Sequence, residues 1–207
     1  MSNVSAILLA AGQSRRMGAF KPLLPFGGRT VIETCVDNLR AAGVDEIVVV
    51  VGHRGAEVRA RLQDGRLRFA VNEAAGSEMS VSIARGVAQL PTDAQAVLLA
   101  LGDQPAVTPD IIRRVIETRE QTGARLVVPE YEGRGGHPVL IDLAYRDELL
   151  QLDAERGLRA LFERHRPEVQ RVPVSSPYVT RDMDTWADYC ALHEELFHAP
   201  PPVAQSG

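Results

Sequence analysis

Ile7-Leu8-Leu9-Ala10-Ala11-Gly12-Gln13-Ser14-Arg15-Arg16-Met17-Gly18-Ala19-Phe20-Lys21-Pro22-Leu23-Leu24 is the stretch from which the rest of the chain is best read. An apolar strand runs into a glycine turn, and Arg15, Arg16 and Lys21 follow within a few positions. Glycine lets a backbone approach a ligand with no Cβ in the way. Consecutive backbone N–H groups at such a turn form an anion-binding concavity, and arginine adds a forked donor matched to phosphate oxygens. The stretch therefore predicts a polyphosphate cradle at the end of a strand. Two common phosphate loops are excluded by register. Counting from Gly12, the dinucleotide fingerprint would need glycines where Ser14 and Met17 stand, and a Walker A loop would need Lys and Ser/Thr directly after Gly18, where Ala19 and Phe20 stand.

The pattern outward from this loop is one of strands alternating with helices. Thr30 caps a predicted helix with Val31, Ile32, Cys35, Val36 and Leu39 on one face, which Gly43 ends. Glu46–Val51 is a strand apolar on both faces, as a buried parallel strand is. A short helix over 56–64, a strand Leu67–Val71, a polar loop Asn72–Ser80 opening a helix, and a second buried strand Ala96–Leu101 follow. Thr108-Pro109 has the cap-then-proline form of a helix start. Beyond it come a strand at Leu126–Val128, a glycine-rich excursion from Tyr131 returning as a strand to Ile141, helices near 143–151 and 155–165, a partly exposed strand Val169–Val174, and a last helix carrying Trp186, Tyr189, Cys190, Leu196 and Phe197. This alternation predicts an α/β fold, a three-layer α/β/α Rossmann-like arrangement on a mostly parallel mixed sheet. Ligands of such sheets lie beyond the carboxyl ends of the strands, which places Gly12–Lys21, Asn72–Ser82 and Gly102–Pro105 on one rim.

With 207 residues, 45% of them hydrophobic and 24% charged, the chain reads as one globular domain over 1–197 with a proline-rich, disordered tail over 198–207. A net charge of −4 excludes a surface built to coat nucleic acid. Cys35 and Cys190 fall inside helical patterns with no metal-ligand spacing, so they read as core thiols in a reducing compartment. The run Ile7–Ala11 is too short for a signal peptide, and no run reaches the length of a membrane span. The expectation is a soluble cytoplasmic protein.

Two acidic segments carry the remaining chemistry. Asp103, in Gly102-Asp103-Gln104-Pro105, ends a six-residue apolar strand, where a carboxylate serves a hard cation such as Mg²⁺ better than it serves a core. Arg181-Asp182-Met183-Asp184-Thr185 precedes the last helix. Thr185 and Asp188 suit a capping box there, leaving Asp184 free, with Asp182 the weaker alternative.

Leu9-Ala10-Ala11-Gly12-x-Ser14-x-Arg16-Met17-Gly18-x-x-Lys21-x-Leu23-Leu24 resembles the signature of the MobA-like nucleotidyltransferases, which include the molybdopterin guanylyl- and cytidylyltransferases. The resemblance implies that Leu9, Ala10, Ala11, Gly12, Ser14, Arg15 and Gly18 wrap a nucleoside triphosphate while Arg16 and Lys21 act on it. It implies nucleotide recognition by Asn72, Gly76, Ser80, Ser82 and Gly102, with Asp103 catalytic and Asp103 and Asp184 as Mg²⁺ ligands. Ser80 could equally cap its helix. Gly136-His137-Pro138 is similar to an acceptor-side segment of these enzymes, which makes His137 an expected contact to the acceptor phosphate. Asp153-Ala154-Glu155-Arg156-Gly157-Leu158-Arg159 keeps only Asp153, Gly157 and Arg159 of the family's usual run, so acceptor identity stays open. Guanylyl-type members tend to carry glycine at the position of Ala11, and its methyl narrows the base slot in favour of CTP. The implied partners are a nucleoside triphosphate, a phosphorylated acceptor such as molybdopterin, and a molybdenum hydroxylase receiving the product. Competing readings are a methylerythritol-phosphate or sugar-phosphate nucleotidyltransferase, a non-catalytic molybdenum-cofactor chaperone, and an NAD(P)H oxidoreductase like the nicotine blue reductase of soil bacteria.

Overall fold

The computed structural model describes residues 3–74 and 78–203. Ten strands are described: β1 Val4–Ala10, β2 Pro25–Phe26, β3 Arg29–Thr30, β4 Ile47–Val51, β5 Leu67–Val71, β6 Ala96–Leu101, β7 Leu126–Tyr131, β8 Arg134–Gly135, β9 Val139–Asp142 and β10 Val169–Pro173. The α-helices are α1 Val31–Ala41, α2 Gly55–Arg61, α3 Met79–Val87, α4 Pro109–Thr122, α5 Arg146–Leu150, α6 Gly157–Arg164 and α7 Trp186–Phe197.

The main sheet runs β10-β7-β9-β6-β1-β4-β5, with β8 paired to β7. Pairings of β1 with β4 and β6, of β4 with β5 and of β7 with β10 are parallel, while β9 runs antiparallel between β6 and β7. This is the mixed, mostly parallel Rossmann-like sheet that the alternation predicts. From β1 the chain winds outward first through β4 and β5, then returns to the other side at β6. The reversal leaves a crevice beyond the carboxyl ends of β1 and β6, the place where open α/β sheets bind ligands.

Period-two patterning sends alternate side chains to opposite faces. Leu8, Val49 and Leu98 meet α1 and α4 through Ile32, Leu39, Ile112 and Val115. Ile7, Val48, Val50 and Leu99 meet α3, α5 and α6 through Ile83, Val87, Leu149 and Leu161. Each such fully buried aliphatic side chain contributes about 1.5–3 kcal/mol. A third cluster lies off the sheet: Met17, Leu24, Phe26, Val31, Met183, Tyr189 and Leu192 pack α7 against the glycine loop and the β2–β3 ribbon. Met17 is fully buried there, so the signature methionine anchors the loop.

Local signals account for some of the element ends. Thr30 with Glu33, and Thr185 with Asp188, form capping boxes for α1 and α7. Gly43 adopts φ +90° beyond α1. Thr108 precedes Pro109 at the start of α4 without a side-chain cap bond. Several boundaries differ from expectation. The helix expected over 56–64 is Gly55–Arg61, the segment 143–151 divides into a 3-10 turn and α5, and the two-residue strands β2 and β3 were not anticipated. Helix α3 starts at Met79 after Glu78, so Ser80 sits in its first turn and does not cap it. Within the expected tail, the Ala199 carbonyl lies 2.7 Å from His193 Nδ1.

Candidate active site

The loop between β1 and Lys21 is shaped by two left-handed residues, Ser14 at φ +54° and Gly18 at φ +69°. Ser14 Oγ accepts a hydrogen bond from the Lys21 backbone N–H at 3.1 Å, closing the loop on itself. A 3-10 turn over Lys21–Leu23, with Pro22 inside it, then fixes where the Lys21 stem points.

That stem delivers its ammonium to two carboxylates from distant segments. Lys21 Nζ lies 3.0 Å from Asp103 Oδ2 and 2.8 Å from Asp184 Oδ1. Arg16 Nη2 lies 2.8 Å from Asp184 Oδ2. Asp103 is placed by the end of β6, where Gly102 donates its N–H to the Leu9 carbonyl at 2.9 Å. A Cβ at Gly102 would stand 2.9 Å from that same oxygen, so this close approach of β1 and β6 requires glycine. Asp184 is placed by the α7 capping box, whose Asp188 carboxylate accepts the Asp184 N–H at 3.2 Å. Asp182 is held from beneath by buried Gln104, whose Nε2 donates to Asp182 Oδ1 at 2.9 Å.

The electrostatics follow from burial against pairing. Burial pushes the Asp103 carboxyl above the ordinary aspartate range, opposed by Lys21 and reinforced by the charges of Asp182 and Asp184. The hydrogen bond from Lys21, opposed by some desolvation, holds the Asp184 carboxyl below that range, with the Lys21 and Arg16 charges adding to it. Burial alone would lower Lys21, but its bonds and charge interactions with Asp184 and Asp103 outweigh it and leave the ammonium raised.

These groups border a cavity of about 780 Å³, a volume within the usual range for small-ligand sites. Of the sequence-predicted residues, Leu9, Ala10, Ala11, Gly12, Ser14, Arg15, Arg16, Lys21, Asn72, Ser82, Gly102, Asp103, Asp182 and Asp184 line it. Asn72 Nδ2 donates to Ser82 Oγ at 2.8 Å, joining the two into one polar wall. Gly18 and Ser80 are not on the cavity wall, and Gly76 lies outside the described residues.

Gly136, His137 and Pro138 are also absent from the cavity wall, where the sequence reading expected acceptor contacts. The His137 backbone N–H donates to the Val179 carbonyl at 2.8 Å, and its ring Nδ1 lies 3.2 Å from the Leu99 carbonyl. Burial lowers its imidazole below the ordinary value, opposed by Leu99 O and by the charges of Asp182 and Asp103. Gly136–Pro138 thus docks the segment that leads into Asp182 and Asp184 onto the sheet.

The cavity also includes Gly52, His53, Glu73 and Met79, which sequence reasoning did not name as site residues. Gly52 directly follows β4, so the strand-end rule that found Gly102 was its available signal. A Cβ there would stand 2.8 Å from Ala11 O and 3.0 Å from Asn72 O.

Among the described residues, no group of three or more His, Cys, Asp or Glu side chains could hold a metal by itself. Asp103 and Asp184, two hard oxygen donors converging on one positive charge, suit a divalent cation whose remaining positions are filled by phosphate and water. No helix among the described residues is long and apolar enough to cross a membrane.

A Rossmann-like sheet with a basic glycine loop facing acidic residues across the strand-end crevice defines a nucleotidyltransferase. Specifically, the chain belongs to the MobA-like NTP transferase domain family, whose model matches residues 6–169. It is 31% identical to the nicotine blue oxidoreductase of Paenarthrobacter nicotinovorans (88% of this chain, 92% of that one). It is 28% identical to the molybdenum cofactor cytidylyltransferase of Escherichia coli (94% and 97%). Against the bifunctional protein GlmU of Symbiobacterium thermophilum, identity is 39% over 60% of this chain, which spans only 26% of that relative's length. Among solved structures, Rv0371c of Mycobacterium tuberculosis superposes with a TM-score of 0.83 at 30% identity (93% of this chain, 98% of that one). Its complex with manganese superposes at 0.80 and 29% (93% and 98%).

Proposed function

We propose that this nucleotidyltransferase is Mg²⁺-dependent and transfers CMP from CTP to a phosphorylated acceptor of the molybdopterin type, releasing pyrophosphate. The observation that carries this reading is the meeting of Lys21, Asp103 and Asp184 at one point on the wall of the nucleotide-sized cavity. An oxygen of the acceptor phosphate attacks the α-phosphorus in line. The new P–O bond forms as the α–β bridge breaks, and its electron pair leaves with pyrophosphate. Nothing in this reaction needs a covalent nucleophile, so catalysis rests on positioning and charge.

Each side chain then has a role. The backbone of Gly12–Ser14 faces the triphosphate, and Arg16 and Lys21 turn from the carboxylates to the charge gathering on the departing pyrophosphate. Asn72 and Ser82 offer hydrogen bonds to base and sugar. Asp103 and Asp184 would hold the cation, which when bound neutralises phosphate oxygens. The Ala11 methyl on the cavity wall, packed toward Gly52, supports CTP over GTP. The fuller assignment includes a single domain over 1–197 with a tail from 198, a cytoplasmic location, and delivery of product to a molybdenum hydroxylase.

The test is Mg²⁺-dependent pyrophosphate release from CTP in the presence of a molybdopterin acceptor. A second reading, an NAD(P)H-dependent oxidoreductase, is favoured by the 31% identity to nicotine blue oxidoreductase. NADPH oxidation without pyrophosphate release would establish it and overturn the transferase reading.

A further inference from the structure

The geometry points to Lys21 as a guard of the acidic pair: its ammonium closes Asp103 and Asp184 to a free divalent cation, which gains them only together with a nucleoside triphosphate. This inference rests on the reading of the two aspartates as cation ligands.

Three observations support it. First, Nζ bonds one oxygen of each carboxylate, at 3.0 Å and 2.8 Å, so the charge that would attract a cation is already answered at the point where the two acids converge. Arg16 occupies the second oxygen of Asp184 at 2.8 Å. Among these four bonded groups two negative and two positive charges balance, while Asp182 stands outside them, bonded to neutral Gln104. Second, the lysine side chain is only 11% exposed. A bare cation entering between the acids would strand the buried ammonium beside a like charge, and breaking a partly desolvated ion pair in that way is costly. Third, the root of the lysine side chain is held in place, so only a swing about its own torsions takes the ammonium off the acids. Its backbone is tied to Ser14 Oγ and its stem is set by the 3-10 turn at Pro22.

A triphosphate in the Gly12–Arg16 loop changes this balance. Its oxygens give Lys21 and Arg16 a new anionic partner within the same cavity, and the two carboxylates are released to the cation. The nucleotide and the cation therefore bind cooperatively, each raising the affinity for the other by the same factor. The arrangement keeps the acidic pair from holding free metal between turnovers.

The experiment measures Mn²⁺ binding by electron paramagnetic resonance on the whole chain, with and without α,β-methylene-CTP. Wild type should bind Mn²⁺ weakly alone and at least about tenfold more tightly with the analogue. Lys21→Met, which keeps the stem and removes the charge, should bind Mn²⁺ alone at least about tenfold more tightly than wild type. Asp103→Asn in that background should abolish the gain, and Lys21→Arg, which keeps a cation, should stay weak. Circular dichroism melts show that each variant is folded. Equal Mn²⁺ affinity of wild type and Lys21→Met, or tight binding to wild type alone, overturns the guard. If Lys21→Met gains Mn²⁺ affinity that Asp103→Asn removes, yet no nucleoside triphosphate binds any form, the closure of the acids by Lys21 stands, while its release by nucleotide and the transferase reading both fall.

Discussion

Gly136 lies so close to Val179 that a Cβ on it would stand 2.1 Å from the Val179 carbonyl oxygen. The same carbonyl accepts the His137 N–H, so the glycine-rich excursion after β7 is a docking seat for the chain segment that carries Asp182 and Asp184. The Asp184 carboxylate consequently depends on a glycine that is not on the cavity wall.

Gly136→Ala should therefore destabilise the fold and misplace the acids together. Overpacking of this kind costs about 1–3 kcal/mol, because the contact is with backbone and no flexible side-chain end can give way. A lowered urea midpoint accompanied by reduced turnover is expected. A wild-type midpoint would show that the segment shifts freely.

Arg16→Ala and Asp103→Ala should each lower turnover by ~10²–10³-fold, the usual loss when one charge-stabilising group is removed. Both variants should keep the fold. Arg16 is 74% exposed, and an exposed ion pair adds little stability. Steady-state rates within threefold of wild type for either variant would remove that residue from the chemistry.

Acid stability should carry opposite contributions from the two aspartates. The Lys21 hydrogen bond lowers the folded value of Asp184 from 3.8, so its contribution is full above 3.8 and is lost as pH falls through the lower folded value. Burial raises the folded value of Asp103, so the folded state binds its proton more tightly, and stability falls as pH rises from 3.8 through that higher value. Denaturation midpoints across this range should show a shallower acid loss for Asp184→Asn. Asp103→Asn should remove the opposing fall, and identical profiles for wild type and both variants would contradict these assignments.

Ala11→Gly should relax nucleotide choice. One methyl at a close-packed wall is worth roughly 10–200-fold in discrimination. The CTP/GTP ratio of kcat/KM for pyrophosphate release should fall by about tenfold. An unchanged ratio would place the base away from Ala11.

The folding pattern was legible because it is local. Alternation of apolar strands with capped, amphipathic helices marks the layers, and the strand-end rule put the loops on one rim. Lys21 and Asp103 could be singled out as residues of the wrong chemistry for their neighbourhoods, and Asp184 as the acid that the capping box of the last helix leaves over. Gly52 obeyed the same strand-end rule as Gly102 but was followed by His53 and Arg54, with no acid beside it. Gly136–Pro138 read as an acceptor contact through its resemblance to an acceptor-side segment of the family. Nothing local reveals that Val179 and Leu99 offer the His137 nitrogens their partners.

The sequence by itself determined the element types, the phosphate-seeking character of the Gly12–Lys21 loop and the candidate acids, since these depend on residue chemistry and short-range periodicity. Only the tertiary structure decided that Lys21 bonds Asp103 and Asp184 at once, across 82 and 163 residues. That convergence comes from β1 lying beside β6 and from α7 packing over Met17. Contacts between segments so distant are set by how layers pack, and the patterning of either segment alone carries no record of it.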